Sequence, residues 1–147
     1  MIERRHWTLA AVAAAVLMLA TACAQSESTA GPSVMERFSR NGDGYADITA
    51  DQLAQLMDDD EELTLVNVHI PYEGEIPETD LFIPFDEIPE HLDELPAEDA
   101  HIVLYCRTGG MSTSAAKELA ELGYTNVAEV NGGFRAWEAA GYELLNR

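Results

Sequence analysis

The sequence predicts an α/β domain with a central parallel sheet and helices on both of its faces. From residue 45 onward, short apolar runs alternate with segments of helical periodicity. The run 102–105 (IVLY) is almost wholly apolar, as expected for a parallel strand that is buried on both sides. Strands separated by helices of this length indicate βαβ units, and 147 residues fit one domain behind a targeting segment.

The individual elements follow from apolar runs and cap signals. Strands are predicted at 47–48, 63–68, 81–84, 102–105 and 127–130. Helices are predicted after Thr49 and over 85–95, 112–122 and 134–140. Thr49 and Gln52 have the spacing of a capping box, and Gly123 is a typical helix stop. Phe134 and Trp137, three residues apart, are expected to anchor the last helix to the sheet.

The first 23 residues have the order of a secretory signal: a basic start, an apolar run, then small residues before Cys23. The run is shorter than the roughly 20 apolar residues of a membrane-spanning helix. Residues 19–23 (LATAC) resemble a bacterial lipobox, which predicts a lipidated Cys23 anchored to the outer side of a cell membrane. The alternative is that Cys23 is removed with the signal or kept as an incidental thiol.

Residues 24–44 are rich in Ser, Gly, Thr and Ala, and they are predicted to form a flexible linker to a domain spanning 45–147. Residues 41–44 (NGDG) hint at a calcium loop. The glutamate that an EF-hand needs at its twelfth position is missing, so a polar turn is the better interpretation.

The net charge of −19 limits the classes of partner. Such a surface repels nucleic acid and anionic lipid headgroups. Only four basic residues follow Arg40, namely Arg107, Lys117, Arg135 and Arg147. The surface charge gives a small anion no long-range attraction, so any affinity must come from groups next to the binding site.

Cys106 directly follows the strand at 102–105 and precedes two adjacent glycines, Gly109 and Gly110. Glycines allow successive N–H groups to point into one cavity, and the helix start adds unpaired N–H groups and its positive dipole end. These groups favour thiolate over thiol and predict a nucleophile. Arg107 is expected to add a fixed positive charge beside the sulfur.

Three other roles of Cys106 fit the sequence less well. A buried cysteine is commonly a small hydrophobic side chain, but that role does not require the sequence RTGG that follows. A metal site is disfavoured because His69, His91 and His101 lack ligand spacing with Cys106. A Cys–His protease is disfavoured because no histidine stands out as a paired base.

Three segments resemble the rhodanese-like family over 45–144: 47–53 (DITADQL), 104–112 (LYCRTGGMS) and 130–142 (VNGGFRAWEAAGY). The resemblance implies sulfur transfer, in which Cys106 attacks the outer sulfur of a small sulfur-containing anion and carries it as a persulfide. A thiol acceptor or an exported partner protein then removes this sulfur. The resemblance also implies a set of residues that bind the substrate and the persulfide: Arg107, Thr108, Gly109, Gly110, Met111 and Ser112. No cofactor or metal is implied.

The chain departs from the family pattern at several positions. Residues 67–69 (NVH) and 74–76 (GEI) stand where members of the family frequently carry a charged pair. Met111 stands at the sixth loop position, where members that prefer thiosulfate often carry a basic residue. Related phosphatases have an arginine where this chain has Ser112, so phosphate-ester chemistry is disfavoured. Two further hypotheses stay open: a membrane-tethered docking module without catalysis, and a redox role through mixed disulfides of Cys106.

Overall fold

The computed structural model describes residues 37–59 and 62–146, and its centre is a five-stranded sheet. The strands are β1 (Ala46–Ile48), β2 (Leu63–Asn67), β3 (Leu81–Phe82), β4 (His101–Tyr105) and β5 (Val127–Val130). Their order across the sheet is β1-β5-β4-β2-β3, and every neighbouring pair is parallel. The predicted parallel sheet is confirmed, with β4 at its centre.

Three helices accompany the sheet: α1 (Ala50–Asp58), α2 (Gly110–Glu121) and α3 (Gly133–Ala139). The predicted capping box opens α1. The N–H of Gln52 donates to the Thr49 hydroxyl at 3.2 Å, and the N–H of Thr49 donates to the Gln52 side chain at 2.8 Å. These two bonds satisfy donors that the first helical turn leaves unpaired.

Alternate residues of the strands face two separate apolar clusters, which confirms that helices cover both faces. One cluster joins the sheet to α1 and α3 through Leu53, Leu56, Phe134 and Trp137. The other joins the sheet to α2 and the segment that follows β3, through Ala115, Leu119 and Ile88. Phe134 and Trp137 are both buried, so their predicted role as core anchors is confirmed.

The predicted helix over 85–95 is wrong. Only a three-residue 3-10 turn forms there, at Ile88–Glu90. Pro89 has no N–H to donate to the carbonyl four residues earlier, and its ring clashes with that turn of a helix. The apolar spacing of this segment instead serves to bury Ile88 against α2.

Residues 37–44, the described part of the predicted linker, contact the domain. Phe38 packs against the core, and Arg40 pairs with Ala46 and donates to the Thr125 carbonyl at 2.6 Å. The predicted polar turn is confirmed, because the Asn41 side chain accepts from the N–H of Asp43 at 3.0 Å. The predicted signal at 1–23, Cys23 and residues 24–36 lie outside the described residues. Within 37–59 and 62–146, no helix has the length and apolarity that crossing a membrane requires.

Candidate active site

Cys106 follows the last residue of β4, at the carboxyl end of the central strand. In parallel α/β sheets this end is where ligands bind. The side chain is 1% exposed, yet it lines a pocket of about 510 Å³. The other lining residues are His69, Arg107, Thr108, Gly110, Met111 and Arg135. The sulfur therefore lies at the bottom of a pocket that a small molecule can enter.

The sulfur of Cys106 accepts hydrogen bonds from the loop that follows it. The N–H of Gly109 donates to Sγ at 3.1 Å, and the Ser112 hydroxyl lies 3.6 Å from it. Gly109 has φ of 103°, a backbone conformation that favours glycine. The N–H groups of Gly110 and Met111 lie in the first turn of α2, where no helical acceptor exists. This arrangement favours negative charge on sulfur.

The start of α3 holds this loop from the opposite side. The N–H of Phe134 donates to the Cys106 carbonyl at 2.9 Å, and the N–H of Arg135 donates to the Arg107 carbonyl at 3.2 Å. Gly133 makes the close approach possible, since a Cβ at this position would lie 2.1 Å from the Cys106 carbonyl oxygen. The pair Gly132-Gly133 at the start of α3 thus fixes the backbone that carries the sulfur.

Arg107 lines the pocket, and its positive charge is paired with a carboxylate. Its Nη1 lies 3.2 and 3.1 Å from the two carboxylate oxygens of Glu73. Arg135 has an exposed side chain and no carboxylate partner within the described chain. The cation available to an anion in the pocket is therefore Arg135, which sequence reasoning did not single out.

His69 is a second pocket residue that sequence reasoning did not assign. It is buried, with its ring edge against Phe134 at 5.6 Å between centroids. Neither ring nitrogen has a hydrogen-bond partner among the described residues. Its Nε2 lies 3.4 Å from a Glu73 oxygen without hydrogen-bond geometry. His69 thus lines the pocket while both of its unpaired ring nitrogens are buried.

Glu129 is a buried carboxylate on β5, directly beside the central strand, and it is 3% exposed. Its Oε2 lies 2.8 Å from the Ser112 hydroxyl, and Asp47 is its direct partner across the β1–β5 pair. Burial raises the pKa of Glu129 to about 7, opposed by the Ser112 hydrogen bond and reinforced by the Asp47 charge.

This raised pKa predicts that protein stability falls as pH rises. The folded state holds the Glu129 proton up to about pH 7, whereas the unfolded chain releases it near 4.5. Folding stability therefore declines between those values, by at most ~3 kcal/mol for a shift of this size. Glu129→Gln keeps the shape and removes the titration. Its stability relative to the natural protein is expected to rise from about pH 5 to about pH 8, measured by urea denaturation.

Glu121→Gln, which removes a carboxylate at an exposed position of α2, is the control for net charge. An equal stability difference at both pH values for Glu129→Gln would contradict this prediction.

Comparison with known proteins identifies the family. Residues 49–140, more than half of the chain, match the family model of the rhodanese-like domain. A sulfurtransferase of Allochromatium vinosum is 34% identical over 102 residues, which cover 67% of this chain and 94% of the relative. A thiosulfate sulfurtransferase, GlpE, of Pseudoalteromonas translucida is 43% identical over 49 residues, which cover 33% of this chain and 47% of the relative.

A solved structure supports the same assignment. The crystal structure of a rhodanese-related protein from Thermoplasma volcanium is 29% identical and superimposes with a TM-score of 0.59. The match covers 69% of this chain and 98% of that structure. The sheet order, the cysteine loop after the central strand and these similarities agree, and the chain belongs to the rhodanese-like domain family.

Proposed function

We propose that this protein is a sulfurtransferase that takes sulfane sulfur from a small anionic donor onto Cys106 and passes it to a thiophilic acceptor. Family membership and the similarity to a sulfurtransferase support this class of activity. The observation that carries the proposal is the 3.1 Å hydrogen bond from the Gly109 N–H to the Cys106 sulfur at the bottom of an open pocket.

The reaction proceeds in two displacements. The Cys106 thiolate attacks the outer sulfur of the donor, the sulfur–sulfur bond of the donor breaks, and the leaving group departs with the bonding electrons. With thiosulfate, the products are a Cys106 persulfide anion and sulfite. An acceptor thiolate then attacks the terminal sulfur of the persulfide and regenerates the Cys106 thiolate.

Negative charge moves from the Cys106 sulfur to the terminal sulfur during the first displacement. The N–H groups of Gly110, Met111 and Ser112 lie in the first turn of α2 and have no helical acceptor of their own, so they are proposed to bind the terminal sulfur. Donors already in place cost no reorganisation when charge arrives, so they stabilise the persulfide and the transition state that leads to it. The backbone from Arg107 to Ser112 is thereby proposed to bind both donor and persulfide.

Arg135 is expected to attract the anionic donor. Glu73 neutralises Arg107, and Arg135 lines the same pocket without a carboxylate partner in the described chain. Arg135→Gln is expected to raise KM for thiosulfate about tenfold, because a hydrogen bond to a charged group contributes roughly 1.5 kcal/mol or more. The kcat is expected to change less than threefold, since a cation that binds ground and transition states alike affects mainly KM.

Lys117→Gln is the matched control. It removes one positive charge from α2 at a residue that pairs with Asp43 and does not line the pocket. An equal rise in KM for both variants would show that long-range charge, and not contact with Arg135, attracts the donor.

The direct test of the activity uses the full chain in detergent. Sulfur transfer from several donors, thiosulfate and a persulfide among them, to cyanide or a dithiol is measured by product formation. Multiple turnovers with at least one donor are expected. No turnover with any donor would refute the proposal and favour the docking-module hypothesis.

We further propose that the domain acts outside the cytoplasm, tethered through lipidated Cys23. The order of residues 1–23 and the lipobox-like LATAC segment support this location. Cys23→Ser is expected to move the protein from the membrane fraction to the soluble exported fraction. An unchanged distribution would argue against the tether.

A further inference from the structure

A buried carboxyl group lies one hydroxyl away from the sulfur of Cys106. Ser112 Oγ, on α2, is 2.8 Å from Glu129 Oε2 and 3.6 Å from Cys106 Sγ. Ser112 is fully buried, and Glu129 and Cys106 are buried beside it. The three groups therefore form a continuous chain of hydrogen-bond contacts between buried residues.

The single hydrogen of the Ser112 hydroxyl has three acceptors within reach. Besides Glu129 and Cys106, the Gly109 carbonyl lies 3.0 Å from Oγ. A carboxylate is the strongest of these acceptors, so an ionised Glu129 draws the hydrogen away from sulfur. A protonated Glu129 instead donates its own hydrogen to Oγ, which frees the Ser112 hydrogen for the sulfur.

The surroundings of Glu129 favour its protonated form. The groups that face it are Asp47 from β1, Ser112 from α2 and Cys106 from the loop after β4. Among the described residues no cation contributes to the pKa of Glu129, which burial raises against the Ser112 hydrogen bond and with the help of the Asp47 charge. A carboxylate and a thiolate joined by one hydroxyl repel each other, so this site is suited to holding one proton between them.

We propose that Glu129 is a positioning residue that accepts the thiol proton of Cys106 through the Ser112 hydroxyl. The thiol hydrogen moves to Ser112 Oγ while the Ser112 hydrogen moves to Glu129 Oε2. The products are a Cys106 thiolate, a hydroxyl that now donates to it, and a neutral carboxylic acid. One proton is relocated, and no other reactant is required. This role rests on Cys106 being the nucleophile of the proposed sulfurtransferase.

The test is the rate of Cys106 alkylation by iodoacetamide as a function of pH. It uses the full chain with Cys23→Ser, so that Cys106 is the sole thiol. No sulfur donor is present, so a failure of sulfur transfer leaves this readout intact. Two interacting groups titrate in two steps, and we expect two inflections more than ~1 pH unit apart.

Glu129→Gln is expected to give a single inflection, at lower pH than the upper inflection of the parent. The Gln amide donates permanently to Ser112 Oγ, which keeps the Ser112 hydrogen on sulfur. Asp47→Asn, at an exposed position, is expected to move mainly the upper inflection, to lower pH, because the proton lost in that step is held by Glu129 and the variant removes a charge beside it.

Ser112→Ala distinguishes the relay from repulsion through space. Without the hydroxyl, Glu129→Gln is expected to shift the profile less than half as far as it does when Ser112 is present. Equal shifts in the two backgrounds would overturn the relay. A single inflection in the parent protein, unmoved by Glu129→Gln, would overturn the proposal as a whole, even if every variant involving Ser112 failed to fold.

Discussion

Replacing Cys106 by serine is expected to lower the rate of sulfur transfer at least about 1,000-fold, since removal of a catalytic nucleophile has effects of this size or larger. A serine hydroxyl is not ionised near neutral pH and forms no persulfide. Its oxygen occupies nearly the same space as sulfur, so the hydrogen bond from Gly109 and the fold are expected to persist. Steady-state transfer from the best donor to a dithiol measures the loss.

The matched control is Cys23→Ser, which alters the other cysteine of the chain. This variant is expected to retain full transfer activity in detergent. Thermal unfolding of Cys106→Ser within a few degrees of the natural protein would show that the loss is chemical. Substantial transfer by a folded Cys106→Ser variant would remove Cys106 from the mechanism.

Gly133→Ala is expected to destabilise the fold by about 2–5 kcal/mol and to abolish sulfur transfer. Gly133 has φ of 58°, a conformation that costs a residue with Cβ roughly 1–2 kcal/mol. Its Cβ would also lie 2.1 Å from the Cys106 carbonyl oxygen, and relief of such overpacking costs about 1–3 kcal/mol more. The atoms that must move are the backbone of the catalytic loop. Denaturant unfolding measures the first effect and the transfer assay the second.

Gly141→Ala is the control for the backbone conformation alone. Gly141 has φ of 97°, and a Cβ there would meet nothing within 4 Å. It is expected to cost only the conformational part, about 1–2 kcal/mol, and to leave transfer intact. Equal destabilisation by both variants would mean that contact with the Cys106 carbonyl is unimportant.

The sheet was predictable from sequence because its signals are local. The run at 102–105 is apolar on both faces, which indicates a buried strand. The start of α1 is predictable for the same reason, because the capping box of Thr49 and Gln52 needs only four consecutive residues. The wrong helix over 85–95 has an equally local cause, because Pro89 interrupts helical hydrogen bonding. Apolar periodicity identifies which side chains are buried, but it does not ensure that the backbone there is helical.

The site was predictable only where it lies within one stretch of chain. Cys106 and its donors Gly109 and Ser112 are neighbours in sequence, so the loop could be predicted from its glycines and the helix start. Glu73 and Glu129 reach the loop from 34 and 17 residues away, through the packing of the sheet and its connections. No spacing rule links such residues.

The sequence does contain features that point to two of the pocket residues, His69 and Arg135. The parallel order of strands places the residues after β2 beside those after β4, as the bond from the Val68 N–H to the Tyr105 carbonyl at 2.9 Å shows. His69 follows Val68 directly. Arg135 is one of the few cations of a chain with a net charge of −19, two residues beyond the Gly-Gly pair. In a chain with so few cations, each cation is a candidate for binding an anion.

The measurement that tests the central claim most directly is the mass of the intact protein after incubation with thiosulfate and removal of the excess donor. The expected result is an addition of about 32 Da, the mass of one sulfur atom, located on the peptide that contains Cys106 and removed by cyanide or a dithiol. An unchanged mass with thiosulfate and with other sulfane-sulfur donors, or an addition that persists in Cys106→Ser, would contradict the assignment of this loop as a carrier of sulfur.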